Sequence, residues 1–193
     1  PPPSIPSTPS STTPPHSTPP IKSPSPSTAP ETTLSDDSDS KKLIDEMVGV
    51  YRDHSPNISL YPDARWALKH FFDRLPLGLI SDGYLNTQEN KLEALGIRQR
   101  FAKIVLTDSL GRDFWKPSPK PYKEIERAFG PEPICCTYIA DNPLKDFIAP
   151  RLLGWQTIRV VRKNGLYSDQ TVEQDQDAER LISSLRDMRK VAL

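Results

Sequence analysis

At 193 residues, with 35% hydrophobic content and zero formal net charge, the chain has the size of one ordinary domain. It has neither the basic excess of a nucleic-acid binder nor an apolar run long enough to span a membrane. Twenty-two prolines are too many for one such domain, and twelve of them fall within the first 30 residues, so the chain divides into a tail and a globular part.

In residues 1–41 the only aliphatics larger than alanine are Ile5, Ile21 and Leu34. So little apolar surface cannot offset the entropy of ordering, which predicts a disordered Pro/Ser/Thr-rich tail of polyproline II character. Pro3, Pro6 and Pro9 have PxxP spacing without a flanking arginine, and the tail ends in the acidic patch Asp36, Asp37 and Asp39. The remaining residues carry 23 basic and 21 acidic side chains, so no partnership with nucleic acid or membrane is expected, and a cytoplasmic location is. Cys135 and Cys136 are adjacent, which suits neither a zinc site nor a disulfide framework, and they are expected to be buried thiols.

The globular part alternates helix and strand. Ile44, Met47, Val48 and Tyr51 recur at helical spacing over residues 42–54. Pro62 opens a second helix, carrying Leu68, Phe71 and Phe72 to about Arg74. Residues 77–80 read as a buried strand stopping at Ser81-Asp82-Gly83, followed by a helix over 87–95 with Gly96 as a left-handed cap. A strand over 104–107 leads through a Pro-rich loop around Lys116 to a helix with Tyr122, Ile125 and Phe129. A strand then ends at Asp141. After it come a helix opened by Pro143 and running to about Leu153, a strand over 157–161, and a C-terminal helix with Leu181, Leu185 and Met188 on one face. Pro150 inside the first of these predicts a kink or an early end, since an interior proline costs about 3 kcal/mol. Strands separated by helices throughout imply a parallel sheet covered on both faces.

Four features fall at strand ends, where α/β proteins bind ligands. Ser81, followed by the flexible Asp82-Gly83, can hold an anion with its hydroxyl and the following amides, although Ser-Asp-Gly is more often a plain turn. Lys116 sits between Trp115 and Pro117 in a stiff loop, where a lone lysine is usually solvated. Asp141 and Asp146 can bind a hard cation, but an aspartate at a helix start is as often a cap.

Taken together and in order, Gly78-Leu79-Ile80-Ser81-Asp82-Gly83, Lys116-Pro117-Ser118-Pro119 and Ile139-Ala140-Asp141-Asn142-Pro143-Leu144-Lys145-Asp146 resemble the second, third and fourth motifs of the haloacid dehalogenase-like (HAD) hydrolases. The resemblance implies a Rossmannoid three-layer α/β/α fold, with residues 42–76 as the end of a cap domain, residues 77–168 as the core and residues 169–193 as the C-terminal helix. It also implies hydrolysis of a small phosphorylated substrate through an aspartyl phosphate. Ser81 and the amide of Asp82, with Gly83, would hold the phosphoryl group. Lys116 would offset its charge, Asp141 would help hold Mg²⁺, and Asp146 would support the metal or orient Lys116.

The family's first motif, an apolar strand ending in Asp-x-Asp, has no counterpart. Asp37-Ser38-Asp39 has the spacing but follows Thr32-Thr33-Leu34-Ser35, which is no buried strand. The chain is therefore expected to be truncated at its amino end and inactive alone; a separate alternative is that another segment or chain supplies the strand. A gap is expected between the strand ending at Ser81 and the one ending at Asp141. A non-catalytic phosphate-ligand or protein-binding module is the alternative.

Overall fold

The structure, a computed structural model, describes residues 37–130 and 135–191. Strand β1 (Gly78–Ser81) pairs with β2 (Lys103–Leu106), while β3 (Thr137–Ala140) pairs with β4 (Gln156–Val160), which also pairs with β5 (Arg180–Ile182). All three pairings are parallel, as expected for strands joined by helical crossovers. Helix α1 (Asp37–Asp53) and α2 (Pro62–Phe71) precede β1, α3 (Leu85–Leu95) links β1 to β2, α4 (Lys120–Phe129) precedes β3, and α5 (Ile148–Leu152) links β3 to β4.

Strand alternation sets the core. Gly78 and Ile80 face α4 so closely that a Cβ at Gly78 would lie 2.9 Å from Ile125 Cδ1. Ile80 and Tyr138 pack against a buried cluster of Val105, Tyr122, Ile125, Cys136, Ala149 and Trp155. Tyr122 and Trp155 meet edge to face at 5.5 Å, which suits their ring quadrupoles. Helix α2 packs against a 3-10 helix, Leu185–Lys190, and Asp63 Oδ2 joins the two by accepting from the Leu185 amide (2.9 Å), Ser184 Oγ (3.2 Å) and Arg162 Nη1 (2.5 Å).

The strands form two sheets, ordered β1-β2 and β3-β4-β5. Among the described residues, β1 pairs only with β2 and β3 only with β4, so each has one edge without a strand neighbour there. Between them lies an apolar cavity of about 520 Å³, lined by Leu79 and Ile80 from β1, Tyr138 and Ile139 from β3, and Phe71 and Met188 beyond. The contrast with β4 is sharp: Ile158 is 1% exposed, whereas Ile139 is 36% exposed. The expected gap between these strands is thus present.

Several boundaries depart from the sequence reading. Helix α1 begins at Asp37, so residues 37–41 are helical and not tail, and Asp37-Ser38-Asp39 forms a helix start and not a strand end. Residues 1–36, with the rest of the expected tail, lie outside the described residues. Only one of the cysteines is enclosed, since Cys136 is buried and Cys135 exposed. No helix runs from Pro143 to Leu153. Residues 143–147 form turns, and α5 begins at Ile148 with Pro150 in its first turn. First-turn amides have no partner within a helix, so Pro150 gives up nothing there.

The expected C-terminal helix is instead β5 followed by the 3-10 helix. Ser184 and Asp187 form a reciprocal capping box that starts the helix only at Leu185. Upstream, Glu179 Oε2 accepts from the Thr157 amide at 3.0 Å and the Glu179 amide donates to Thr157 Oγ1 at 3.0 Å, which aligns β5 on β4.

Candidate active site

The site forms where β1, β2 and β3 end. Lys116 enters from the loop before α4, and its Nζ donates to Asp146 Oδ1 at 2.6 Å and to the Tyr138 hydroxyl at 3.4 Å. The pair is deeply enclosed, with side-chain exposures of 9% and 4%. Burial pushes the ammonium's pKa down, but the Asp146 carboxylate and that of Asp82 outweigh it and hold the pKa above the usual lysine value. Lys116 therefore carries a fixed positive charge at the sheet edge.

Asp146 is held from several sides. Its Oδ2 accepts from the Asn142 amide at 3.1 Å, and its carbonyl accepts from the Tyr122 hydroxyl at 3.1 Å. Each of its carboxylate oxygens thus accepts one hydrogen bond, and Oδ1 faces the Lys116 ammonium. Asp141, directly after β3, is exposed. Among the described residues no group of three His, Cys, Asp or Glu side chains is placed to hold a metal ion. Asp141, alone or with Asp146, would give a hard cation at most two carboxylates, with its other oxygens drawn from water or other groups.

Asp82 is a second hub. Its Oδ1 accepts from Thr107 Oγ1 at 2.8 Å and from the Lys116 amide at 3.2 Å, and its Oδ2 accepts from Lys145 Nζ at 2.8 Å. Burial pushes its pKa up, but the Lys145 hydrogen bond, the Lys116 charge and the Thr107 hydroxyl outweigh that and hold the carboxyl below its usual range. This carboxylate ties together the loops after β1, β2 and β3. Gly83 has φ +125°, and a Cβ there would lie 2.6 Å from Gln88 Nε2. Ser81 Oγ donates to Gln88 Oε1 at 2.8 Å.

Ser81, Asp82, Lys116 and Asp146 are thus brought to one edge, while Asp141 stands apart from the ion pairs. Sequence reasoning passed over Thr107, Lys145 and Tyr138. Thr107 follows β2, the neighbour of β1, so its place after a strand was the available signal. Lys145 lies between the two acids of the loop after β3, and Tyr138 shares the strand face of Ala140. Nearby, the Arg52 guanidinium lies 3.8 Å from the Tyr84 ring centre and Trp115 meets that ring edge-on at 6.0 Å, walling one side of the loop after β1.

A family model described as haloacid dehalogenase-like hydrolase matches residues 22–160. A glyceraldehyde 3-phosphate phosphatase of Methanopyrus kandleri is 30% identical over 138 residues, covering 70% of this chain and 58% of the relative. A phosphoserine phosphatase of Thermus thermophilus is 32% identical over 104 residues, covering 53% and 41%. The chain therefore spans less than two thirds of the length of either. Among solved structures, a 2-haloacid dehalogenase from Pseudomonas syringae superposes with a TM-score of 0.59 at 20% identity, covering 81% of this chain and 63% of the other. A HAD phosphatase from Thermococcus onnurineus does so with a TM-score of 0.57 at 23% identity, covering 68% and 57%. At such identities the structural likeness establishes the shared fold.

Proposed function

This chain belongs to the haloacid dehalogenase-like hydrolase family, and we propose that its site serves the hydrolysis of small phosphate esters. The observation that carries the reading is the buried Lys116 ammonium, ion-paired to Asp146, in a loop whose Lys116 amide is tied to the Asp82 carboxylate that follows Ser81. A phosphoryl group in transfer spreads negative charge over its oxygens, and a fixed cation with preset donors stabilises it without reorganisation. Lys116 supplies that charge, the Ser81 hydroxyl turns from Gln88 to a phosphoryl oxygen, and the amides after β1 donate to another. Asp146 positions Lys116. Asp82 acts through its backbone, because three donors already occupy its carboxylate.

Family members of this kind work with Mg²⁺, and Asp141 is the carboxylate this chain offers toward it. The described residues do not complete such a centre, so the remaining oxygen ligands and the attacking carboxylate come from another segment or chain. Hydrolysis would then await that segment, and the chain alone would bind phosphate without turnover. Both glyceraldehyde 3-phosphate and phosphoserine, named for the two relatives, are small monoesters, the class expected here.

The test pairs inorganic phosphate binding by calorimetry with turnover of p-nitrophenyl phosphate in Mg²⁺. Binding that Lys116→Ala weakens at least tenfold, without turnover, is expected. Turnover abolished by Lys116→Ala would overturn the dependence on another segment, and absence of phosphate binding would overturn the site. Stable phosphate binding with no turnover even after an added segment restores the missing carboxylate would favour the second reading, a non-catalytic module. The absence, among the described residues, of three His, Cys, Asp or Glu side chains placed to hold a metal ion is the observation on its side.

A further inference from the structure

Two guanidinium groups and an indole converge on the Tyr84 ring, and the phosphate reading uses none of them. Arg52, next to last in α1, holds its guanidinium carbon 3.8 Å from the ring centre, Arg112 comes to 5.0 Å, and Trp115 meets the ring edge-on at 6.0 Å. Among the described residues neither arginine has an ion-pair partner. Asp53 Oδ1, beside Arg52 in sequence, accepts instead from Asn86 Nδ2 at 3.3 Å, and Asp108 Oδ2 accepts from the Leu85 amide at 3.0 Å. Arg52 Nε and Trp115 Nε1 are in addition buried without a hydrogen-bond partner. A buried donor left unpaired costs free energy that an incoming acceptor restores. The end of α1 is itself fixed on α3: the Arg52 carbonyl accepts from the buried Thr87 Oγ1 at 3.2 Å, and Asn90 Nδ2 donates to the carbonyls of Asp53 (3.2 Å) and His54 (3.1 Å).

Tyr84 directly follows Gly83, and Trp115 directly precedes Lys116, so the cluster adjoins both loops assigned to phosphate. We propose that Arg52 and Arg112 receive a carboxylate carried by the substrate at the end remote from its phosphate, and that the site thereby selects short phosphate monoesters bearing a carboxylate. The proposal extends the phosphate reading and rests on it. A guanidinium meets both oxygens of a carboxylate with parallel N–H donors, a match that a hydroxyl does not offer. Packing on the Tyr84 ring holds the arginines in place beforehand, so less side-chain freedom is lost on binding. A substrate without the carboxylate leaves these donors unpaired, which is how a polar subsite discriminates. Arg162 makes the contrast within the same molecule: it too lies over a tyrosine, Tyr61 at 4.7 Å, but its charge is already matched by Asp63.

The probes are 3-phosphoglycerate and glycerol 3-phosphate, which differ in a carboxylate against a hydroxymethyl group. Calorimetry with the full chain at fixed ionic strength should show the first bound at least about tenfold more tightly, the worth of a charge-assisted hydrogen bond. Arg52→Met and Arg112→Met should each bring that ratio close to one. Arg127→Met, at an exposed arginine paired with Glu124 on α4, should leave it intact, which separates a built subsite from general charge attraction. Should Arg52→Met bind neither compound because its packing fails, Arg112→Met, at an exposed side chain, decides alone. Equal binding of the two compounds by the parent, a ratio kept in Arg112→Met, or a ratio lost equally in Arg127→Met would overturn the inference and leave the phosphate reading standing. Binding of neither compound nor of inorganic phosphate by the parent would sink the phosphate reading, and this inference with it.

Discussion

Asp146→Asn isolates the electrostatic centre of the site. The substitution keeps an oxygen for the Asn142 amide and removes the charge that faces Lys116 at 2.6 Å. With the lysine side chain only 9% exposed, its ammonium is left in a poorly solvated place without a counter-charge. Breaking a buried pair from one side costs about 3–5 kcal/mol, a large share of a typical domain stability of about 5–15 kcal/mol. Lys116→Met should cost a similar amount, because it strands the Asp146 carboxylate. The double variant Lys116→Met/Asp146→Asn removes both charges and should be more stable than either single variant by about 2 kcal/mol. Urea unfolding followed by tryptophan fluorescence, with Trp155 in the core, measures all three. Single variants within about 1 kcal/mol of the parent, or additive losses in the double, would refute the claim that this pair is buried and coupled.

Two further outcomes follow from the same edge. Gly83→Ala places a Cβ 2.6 Å from Gln88 Nε2 at φ +125°, and should cost about 1–3 kcal/mol in urea unfolding, whereas Gly49→Ala, with open space around it, should not. The folded-state pKa of Asp82 lies below its unfolded value of 3.8, so its contribution to stability is present above pH 3.8 and is lost as pH falls through the lower folded value. Urea midpoints taken between pH 5 and pH 2 should show this loss, and Asp82→Asn should flatten it. Lys116 runs the other way: its pKa is raised above 10.5, so its contribution holds through neutral pH and fades only above that value.

Much of this fold follows from local rules. Gly96 does take the left-handed cap, with φ 59° and ψ 35°, and Ser81 does close its strand. Lys116 was legible as a residue aimed at the sheet edge because prolines stiffen its loop. What local rules missed was decided by partners distant in sequence. Leu181, Leu185 and Met188 keep helical spacing, yet Glu179 bonds to Thr157 and Ser184 caps onto Asp187, and these contacts outweigh the periodicity. Asp146 reads from the sequence as a support for the metal or as the residue that orients Lys116, and its ion pair with a lysine 30 residues away is what proximity to Asp141 does not reveal. Lys145 was hidden for the same reason, since it pairs with Asp82 across 63 residues.

The central claim is that the ends of β1 and β3 form a phosphate site around Lys116. Titration of ¹⁵N-labelled chain with inorganic phosphate tests it most directly. The account predicts saturable shifts at the amides of Asp82 and Gly83, weakened at least tenfold in Ser81→Ala and in Lys116→Met, with chloride at equal ionic strength giving none. Shifts absent from those two amides, or unchanged in both variants, would contradict it.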